Sequence, residues 1–431
     1  MTSAQCSPSA LEHVDRMLRF NAGDSGIDAS EAQPRTVGRV GVIGAGVMGC
    51  AIAATNLSRN LPVIMADADA DALARSGRTI PQLAAELAQP EPPCEATRAG
   101  VVLAKSEQEF APCDLIIESI VETLEVKRKV LQRVEPQLSA DVVIGSNTST
   151  IPIVQLARGL AAPDRLCGIH FCNPVRYRRL VEIVRGPQTS DLTIATAVAY
   201  AKQLSKLPIV VRDNPGFLVN RILFPYLSAA LELLSEGIDA RQIERVALSF
   251  GMQLGPLGLM DLIGIDTAFY AGRSMYDTFR DRIVASPILP ALFKAGRLGQ
   301  KKGIGFYVYD PNRAQPEIDD SLSRYVEQYI RQRYTLSDEQ VEIRLLVPML
   351  LEATRALEEG LVRAPCDIDL ATIFGLGFPA ERGGLLFWAD QIGAAAILAL
   401  LEPLKRLGKR AAPTALLLQM AAENARFHRP E

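Results

Sequence analysis

From Arg39 to Asp213 the chain alternates short Val- and Ile-rich runs with helical stretches: RVGVIGAG, LPVIMAD, VVLAKS, DLIIES and VVIGSN, then LCGIHF, LVEIVRG and LPIVV. Continuous apolar runs without polar alternation belong to strands that are covered on both faces. Separated by helices, they predict one buried, mostly parallel sheet in a doubly wound α/β domain over residues 39–213. At 431 residues the chain is long enough for two or three domains.

After Asn214-Pro215-Gly216 the strand runs stop, and the pattern is helical with Gly and Pro punctuation. The exception is GFYVYD at 305–310, expected as a short extended segment closing a first helical unit. This half repeats itself. RILFPYLSAALELLSEG (221–237) matches RLLVPMLLEATRALEEG (344–360), an offset of 123 residues. Arg221, Pro225, Glu236 and Gly237 align with Arg344, Pro348, Glu359 and Gly360, and FGMQLGP (250–256) loosely matches FGLGFP (374–379). Two copies of one all-helical domain are therefore expected, at 214–312 and 313–431. Residues 1–38, rich in Ser, Gly, Asp and Ala with one helical pattern around Leu11–Phe20, are expected as a flexible tail or docking segment.

A formal net charge of −3 argues against nucleic acid held by a basic surface. No apolar run has the length of about 18–20 residues that spans a membrane. The start, MTSAQCSPSALEHVDRMLRF, lacks the pattern of a secretory signal, and the end, ARFHRPE, is not a peroxisomal address. The seven cysteines (Cys6, Cys50, Cys94, Cys113, Cys167, Cys172 and Cys366) are scattered without a C-x-x-C pair, as in reduced cytoplasmic proteins. Cys167 and Cys172 flank His170, but no second ligand cluster accompanies them, and no metal site is expected.

Gly44-Ala45-Gly46-Val47-Met48-Gly49 follows the strand RVGVI and opens the helical stretch VMGCAIAATNLSRN. In that context G-x-G-x-x-G is the turn of a Rossmann-like dinucleotide site. Gly44 permits the tight turn, Gly46 lets the backbone approach a pyrophosphate, and Gly49 lets the helix pack on the sheet. The helix N-terminus offers free N–H groups to the phosphates. Asp67, ending the second strand, is placed to bind both ribose hydroxyls, which favours NAD over NADP.

His13 and His428 lie in the terminal segments, leaving His170 alone among the histidines in the predicted core. It ends the strand LCGIH, where open α/β sheets form their crevices. Glu182 interrupts the apolar strand LVEIV, and a buried carboxylate there calls for a partner such as an imidazole. A pair of that kind holds one tautomer and stabilises the imidazolium formed on proton uptake. Taken alone, His170 also fits a satisfied core histidine.

SNTST (146–150), GIHFCNPV (168–175), LVEIVRGPQTS (180–190), DNPGFLVNRIL (213–223), LGPLGLMDLIGIDT (254–267) and KKGIGFYVYD (301–310) resemble 3-hydroxyacyl-CoA dehydrogenase, in order, from about Arg39 to Asn424. The resemblance implies NAD-dependent oxidation of a 3-hydroxyacyl-CoA to the 3-ketoacyl-CoA, in fatty-acid β-oxidation or a related thioester pathway. It implies His170 as general base, Glu182 as its paired carboxylate, and Ser149 and Asn220 as holders of the substrate oxygens. Glu122, Lys127 and Asn147 match positions near the cofactor, and Asn173 lines the same site. Local capping is the plain alternative for Ser149, Asn147, Asn173 and Asn220.

In the repeat Asn220 falls opposite Ile343, so the second copy is expected to be structural. The tandem form resembles the dehydrogenase half of multifunctional β-oxidation proteins. There the second copy packs on the first within one chain, which implies a monomer, or a dimer through some other surface. The 38 residues before the first strand are too few for the hydratase domain of those proteins, so hydratase activity is not expected. Arg176-Tyr177-Arg178-Arg179 reads as a solvated loop or as an anchor for coenzyme A phosphates or a carrier arm. Alternatives from other classes are a β-hydroxyacid dehydrogenase acting on free acids and a cofactor-binding protein without activity. A carrier-bound substrate of a biosynthetic pathway also stays open.

Overall fold

The computed structural model describes residues 8–28, 32–87, 100–313 and 315–428; Cys6, Cys94 and the last three residues lie outside them. Each of the eight apolar runs forms a strand: β1 (Val40–Ile43), β2 (Val63–Ala66), β3 (Val101–Leu103), β4 (Leu115–Glu118), β5 (Val143–Ser146), β6 (Leu166–Phe171), β7 (Leu180–Arg185) and β8 (Leu207–Arg212). They form one sheet in the order β3-β2-β1-β4-β5-β6-β7-β8. All neighbours are parallel except β6 and β7. The connection 172–179 is too short for a crossover, so β7 must run back along β6. Every residue of β1, β4, β5 and β6 is buried, which explains their unbroken apolar character. The strand order reverses between β1 and β4, and crevices open at the carboxyl ends of strands at such a point.

The chain divides into two compact units, one of residues 17–217 and one of residues up to Arg16 together with Leu218 onward. The amino-terminal segment corrects the expectation of a flexible tail. Pro8–Gly23 is a helix on which Ala10, His13, Val14, Met17 and Asn21 are buried. These recur at helical spacing, and two of the five are polar, which hid the stripe among polar neighbours. Asn21 satisfies its amide by donating to the Pro208 carbonyl at 2.7 Å.

In the helical unit Val219–Ser235 packs against Asp338–Glu358, the two helices that open the repeat. Their aligned residues exchange ion pairs. Arg221 binds Glu359 at 2.7 Å, and Arg344 binds Glu236 at 2.8 Å. Residue i of one copy thus meets residue j of the other, and j meets i, as across a two-fold axis. Arg221 also holds the buried Glu352 at 2.7 Å.

The correspondence extends to how each copy fixes its last segment. In the first, Glu244 accepts from the Leu257 N–H at 2.7 Å and the Tyr307 hydroxyl at 2.6 Å, while Asp261 accepts from the N–H groups of Phe306 and Tyr307 at 2.9 and 2.8 Å. In the second, Asp369 accepts from the Leu386 N–H at 2.7 Å and meets His428 Nε2 at 2.7 Å. Asp390 accepts from the N–H groups of Phe427 and His428 at 2.8 and 2.9 Å. GFYVYD forms a short ribbon in which Tyr307–Val308 pairs with Glu317–Ile318. His13 and His428 are therefore built into the fold, contrary to their expected place in terminal segments outside the core. Among the described residues no single helix is long and apolar enough to cross a membrane, and Cys50, Cys113, Cys167, Cys172 and Cys366 are free thiols.

Candidate active site

The sheet order brings the ends of β1, β4, β5 and β6 side by side. Most predicted site residues of the α/β unit lie at or just after these ends, while Asp67 follows β2, Glu182 lies on β7 and Lys127 on the helix Leu124–Val134. At β1 the chain turns through Gly44 at φ +113°, where a Cβ would lie 2.4 Å from the Ser119 carbonyl oxygen. Only glycine fits there. A Cβ on Gly49 would fall 1.8 Å from the Gly44 carbonyl oxygen, so this glycine sets the close approach of helix to turn. Around Gly46 the space is open, with nothing within 4 Å of a Cβ. Gly46 is also the N-cap of the helix Val47–Leu57, without a side chain covering the first turn. Half-buried Asp67 follows β2, and its Oδ2 accepts from the Ala45 N–H at 2.6 Å, tying the second strand to the glycine turn. Val47 stands exposed at the turn. An open glycine, an uncapped helix start and an acid beside both suit a dinucleotide.

At β4 and β5 the structure assembles a charged cluster. Lys127, 1% exposed, sits 2.7 Å from Glu118 and 3.2 Å from Glu122. Glu118 is fully buried and also accepts from the Ser146 hydroxyl at 2.6 Å. Glu122 accepts from the Thr148 hydroxyl at 2.8 Å, the Ser149 N–H at 2.8 Å and the Ser149 hydroxyl at 3.1 Å. Burial alone would raise the Glu122 carboxyl, but the Lys127 ammonium and these hydrogen bonds outweigh it and hold it below the usual range. Ser149 and Glu122, read separately from the sequence, are thus one hydrogen-bonded unit. Asn147 bridges the strand ends: its Oδ1 accepts from the Phe171 N–H at 2.9 Å and its amide reaches the Ser119 hydroxyl at 3.3 Å. Sequence reasoning missed Glu118, Ser146 and Thr148. Glu118 ends the apolar run DLIIE, a place where an acid reads as the strand stopping, unlike Glu182 inside LVEIV.

His170 and Glu182 face each other in register across β6 and β7. Nδ1 of His170 lies 2.7 Å from Glu182 Oε2, and the carboxylate is fully buried while the imidazole is 8% exposed. An ionised carboxylate accepts only, so Nδ1 carries the proton and Nε2 is the basic nitrogen. The Phe217 ring lies 5.7 Å from the imidazole. Asn173 is exposed in the loop that follows β6, just before the cis peptide to Pro174. In the adjoining basic run Arg176 pairs with Glu86 at 2.5 Å. Arg178 is half-buried, and burial pulls its guanidinium below the usual range; the run is not a uniformly solvated loop. Asn220 belongs to the helical unit, inside the first turn of Val219–Ser235 and not at its cap.

Comparison with known proteins identifies the family. Residues 39–214 match the model of the 3-hydroxyacyl-CoA dehydrogenase NAD binding domain. Residues 216–309 and 341–431 match that of the family's C-terminal domain. The fatty acid oxidation complex subunit alpha of Pseudomonas putida is 38% identical over 401 residues, covering 91% of this chain and 56% of its own length. The chain therefore spans about half the length of the curated relatives it matches. Among solved structures, 3-hydroxybutyryl-CoA dehydrogenase of Escherichia coli superposes with a TM-score of 0.79 at 28% identity, covering 90% of this chain and 99% of that one. The (S)-3-hydroxybutyryl-CoA dehydrogenase of Ralstonia eutropha gives a TM-score of 0.59 at 36% identity, covering 64% of this chain and all of its own.

Proposed function

Because the chain belongs to the 3-hydroxyacyl-CoA dehydrogenase family, we propose that it oxidises the 3-hydroxyl of an acyl-CoA thioester reversibly, with NAD as acceptor and His170 as base. The observation that carries this reading is the buried 2.7 Å pair of His170 and Glu182 at the carboxyl end of β6, in the same sheet as the glycine turn. NAD, when bound, supplies the hydride acceptor. The glycine turn and Asp67 would hold it, with Glu122, Lys127, Asn147 and Asn173 around it. His170 takes the hydroxyl proton on Nε2, and Glu182 stabilises the resulting imidazolium without itself being protonated. Ser149 is held by Glu122, and with Asn220 it has the role of fixing the substrate oxygens.

The test is NADH oxidation against 3-ketoacyl-CoA thioesters of increasing chain length, with carrier-bound thioesters and free 3-keto acids in parallel. General-base assistance contributes about 10²–10⁴ in rate, so His170→Ala should lose at least about 10² in turnover while still binding NADH. Near-normal turnover in that variant, or activity on free acids alone, would overturn the assignment. The wider reading follows the same lines: an α/β domain at 39–213, helical copies at 214–312 and 313–431, a monomeric state and a cytoplasmic place in fatty-acid degradation. The exchanged ion pairs between the copies support it, because they occupy within one chain a face that a partner would otherwise cover. A two-fold dimer held through Val219–Ser235, seen by crosslinking, would overturn the monomer.

A further inference from the structure

We propose that His13, Asp369 and His428 form a divalent transition-metal site, best suited to zinc, which pins the amino-terminal helix and the carboxyl-terminal segment to the second helical copy. The three ligand atoms lie within 4.8 Å of one another. His13 Nε2 is 3.4 Å and His428 Nε2 is 2.7 Å from the same oxygen, Asp369 Oδ2. Zinc–ligand bonds of about 2.0–2.1 Å in a tetrahedron put ligand atoms about 3.3 Å apart. His13 already meets that spacing, and His428 has to open by about 0.6 Å.

The surroundings orient the ligands. Asp369 is fully buried, and the N–H groups of Leu386 and Phe387 fix its two oxygens at 2.7 and 3.2 Å. His428 is anchored through its backbone N–H to Asp390. The Phe387 ring stacks on His13 at 4.4 Å, and the two imidazoles meet edge to face at 4.4 Å. Hydrogen-bonded ligands on rigid elements are what a metal site requires. The first copy supplies a comparison inside the same molecule. There Tyr307 and Glu244 occupy the equivalent places, and a phenol above a carboxylate is a poor ligand pair for a soft or borderline metal. The second copy keeps the wiring, puts an imidazole and a carboxylate in those places, and receives a second imidazole from outside the repeat. Two imidazoles and one carboxylate suit zinc, with solvent as the fourth ligand on the side where His428 is 13% exposed.

One contact opposes the metal. Exposed Arg16 donates to His13 Nδ1 at 3.1 Å, which keeps the proton on Nε2, the atom that must bind metal. Metal binding therefore has to move that proton to Nδ1 and turn Arg16 away.

The test uses untagged full-length protein, stripped with a chelator and titrated with zinc and cobalt. One equivalent should bind at micromolar concentration or tighter and raise the melting temperature. The cobalt complex should show tetrahedral visible bands without a thiolate charge-transfer band. His428→Asn and His13→Asn should each weaken binding at least tenfold, and Arg16→Ala should tighten it severalfold. Absence of stoichiometric binding to the parent chain overturns the proposal, as do unchanged affinity in both histidine variants or a thiolate band that places the metal on cysteines. If a histidine variant does not fold, Arg16→Ala still decides: unchanged or weaker binding there is equally fatal.

Discussion

Glu182 and Glu118 are both fully buried carboxylates on strands, and each is matched to a buried basic side chain, His170 for one and Lys127 for the other. Glutamine at position 182 would keep the shape and remove the carboxylate that the proposed mechanism uses to stabilise the imidazolium. Glu182→Gln should therefore lower turnover by at least about tenfold while leaving NADH affinity within about twofold, measured by steady-state kinetics and fluorescence titration. Full turnover in that variant would show that the pair is only structural. Glu182 was legible in the sequence because it breaks an apolar run in the middle. Glu118 was not, because an acid at the end of a run also reads as the strand stopping. His13 and His428 were illegible for another reason. Their common partner Asp369 is 356 residues from His13, and no local pattern carries a contact of that range.

Among elements, the glycine turn separates folding from binding. A methyl group on Gly49 would fall 1.8 Å from a backbone oxygen, so Gly49→Ala has to displace the turn or the helix. It should cost about 1–3 kcal/mol as an overpacked site and lose NAD affinity as well. Gly46→Ala meets open space. It should melt within about 2 °C of the parent chain, since little surface changes, yet lose at least about tenfold in NAD affinity, a steric effect of about 1.4 kcal/mol. Calorimetry and NADH titration on the two variants distinguish these outcomes, and parallel losses of stability would refute the distinction. The strands β1, β4, β5 and β6 were visible in advance because burial on both faces leaves an unbroken apolar signature, and the half-exposed edge strand β3 was visible from its Val-Val-Leu run alone. The helix Pro8–Gly23 was visible only as a weak pattern, because its buried stripe includes His13 and Asn21.

For the whole molecule, the repeat predicts where stability is concentrated. Arg221 is fully buried and reaches Glu352 and Glu359 of the second copy, each at 2.7 Å. Removing one partner of a buried pair costs about 3–5 kcal/mol because it strands the other charge. Glu352 keeps Arg282 and Arg355 at 3.0 and 3.1 Å, so Arg221→Ala should lie at the low end, about 3 kcal/mol by denaturant titration. A loss below about 1 kcal/mol would mean the exchanged pairs are ornamental. The offset of 123 residues made the duplication readable, but not the way aligned charges cross between copies.

The crossing of Arg221 with Glu359 and Arg344 with Glu236 also bears on dilution. A face closed by a second molecule opens as concentration falls, because association carries a translational cost that mass action must repay. Here the mating surface is covalently attached, and tethering sets an effective concentration of about millimolar or more. The helical unit should keep its shape at the lowest concentrations a cell or an assay can present.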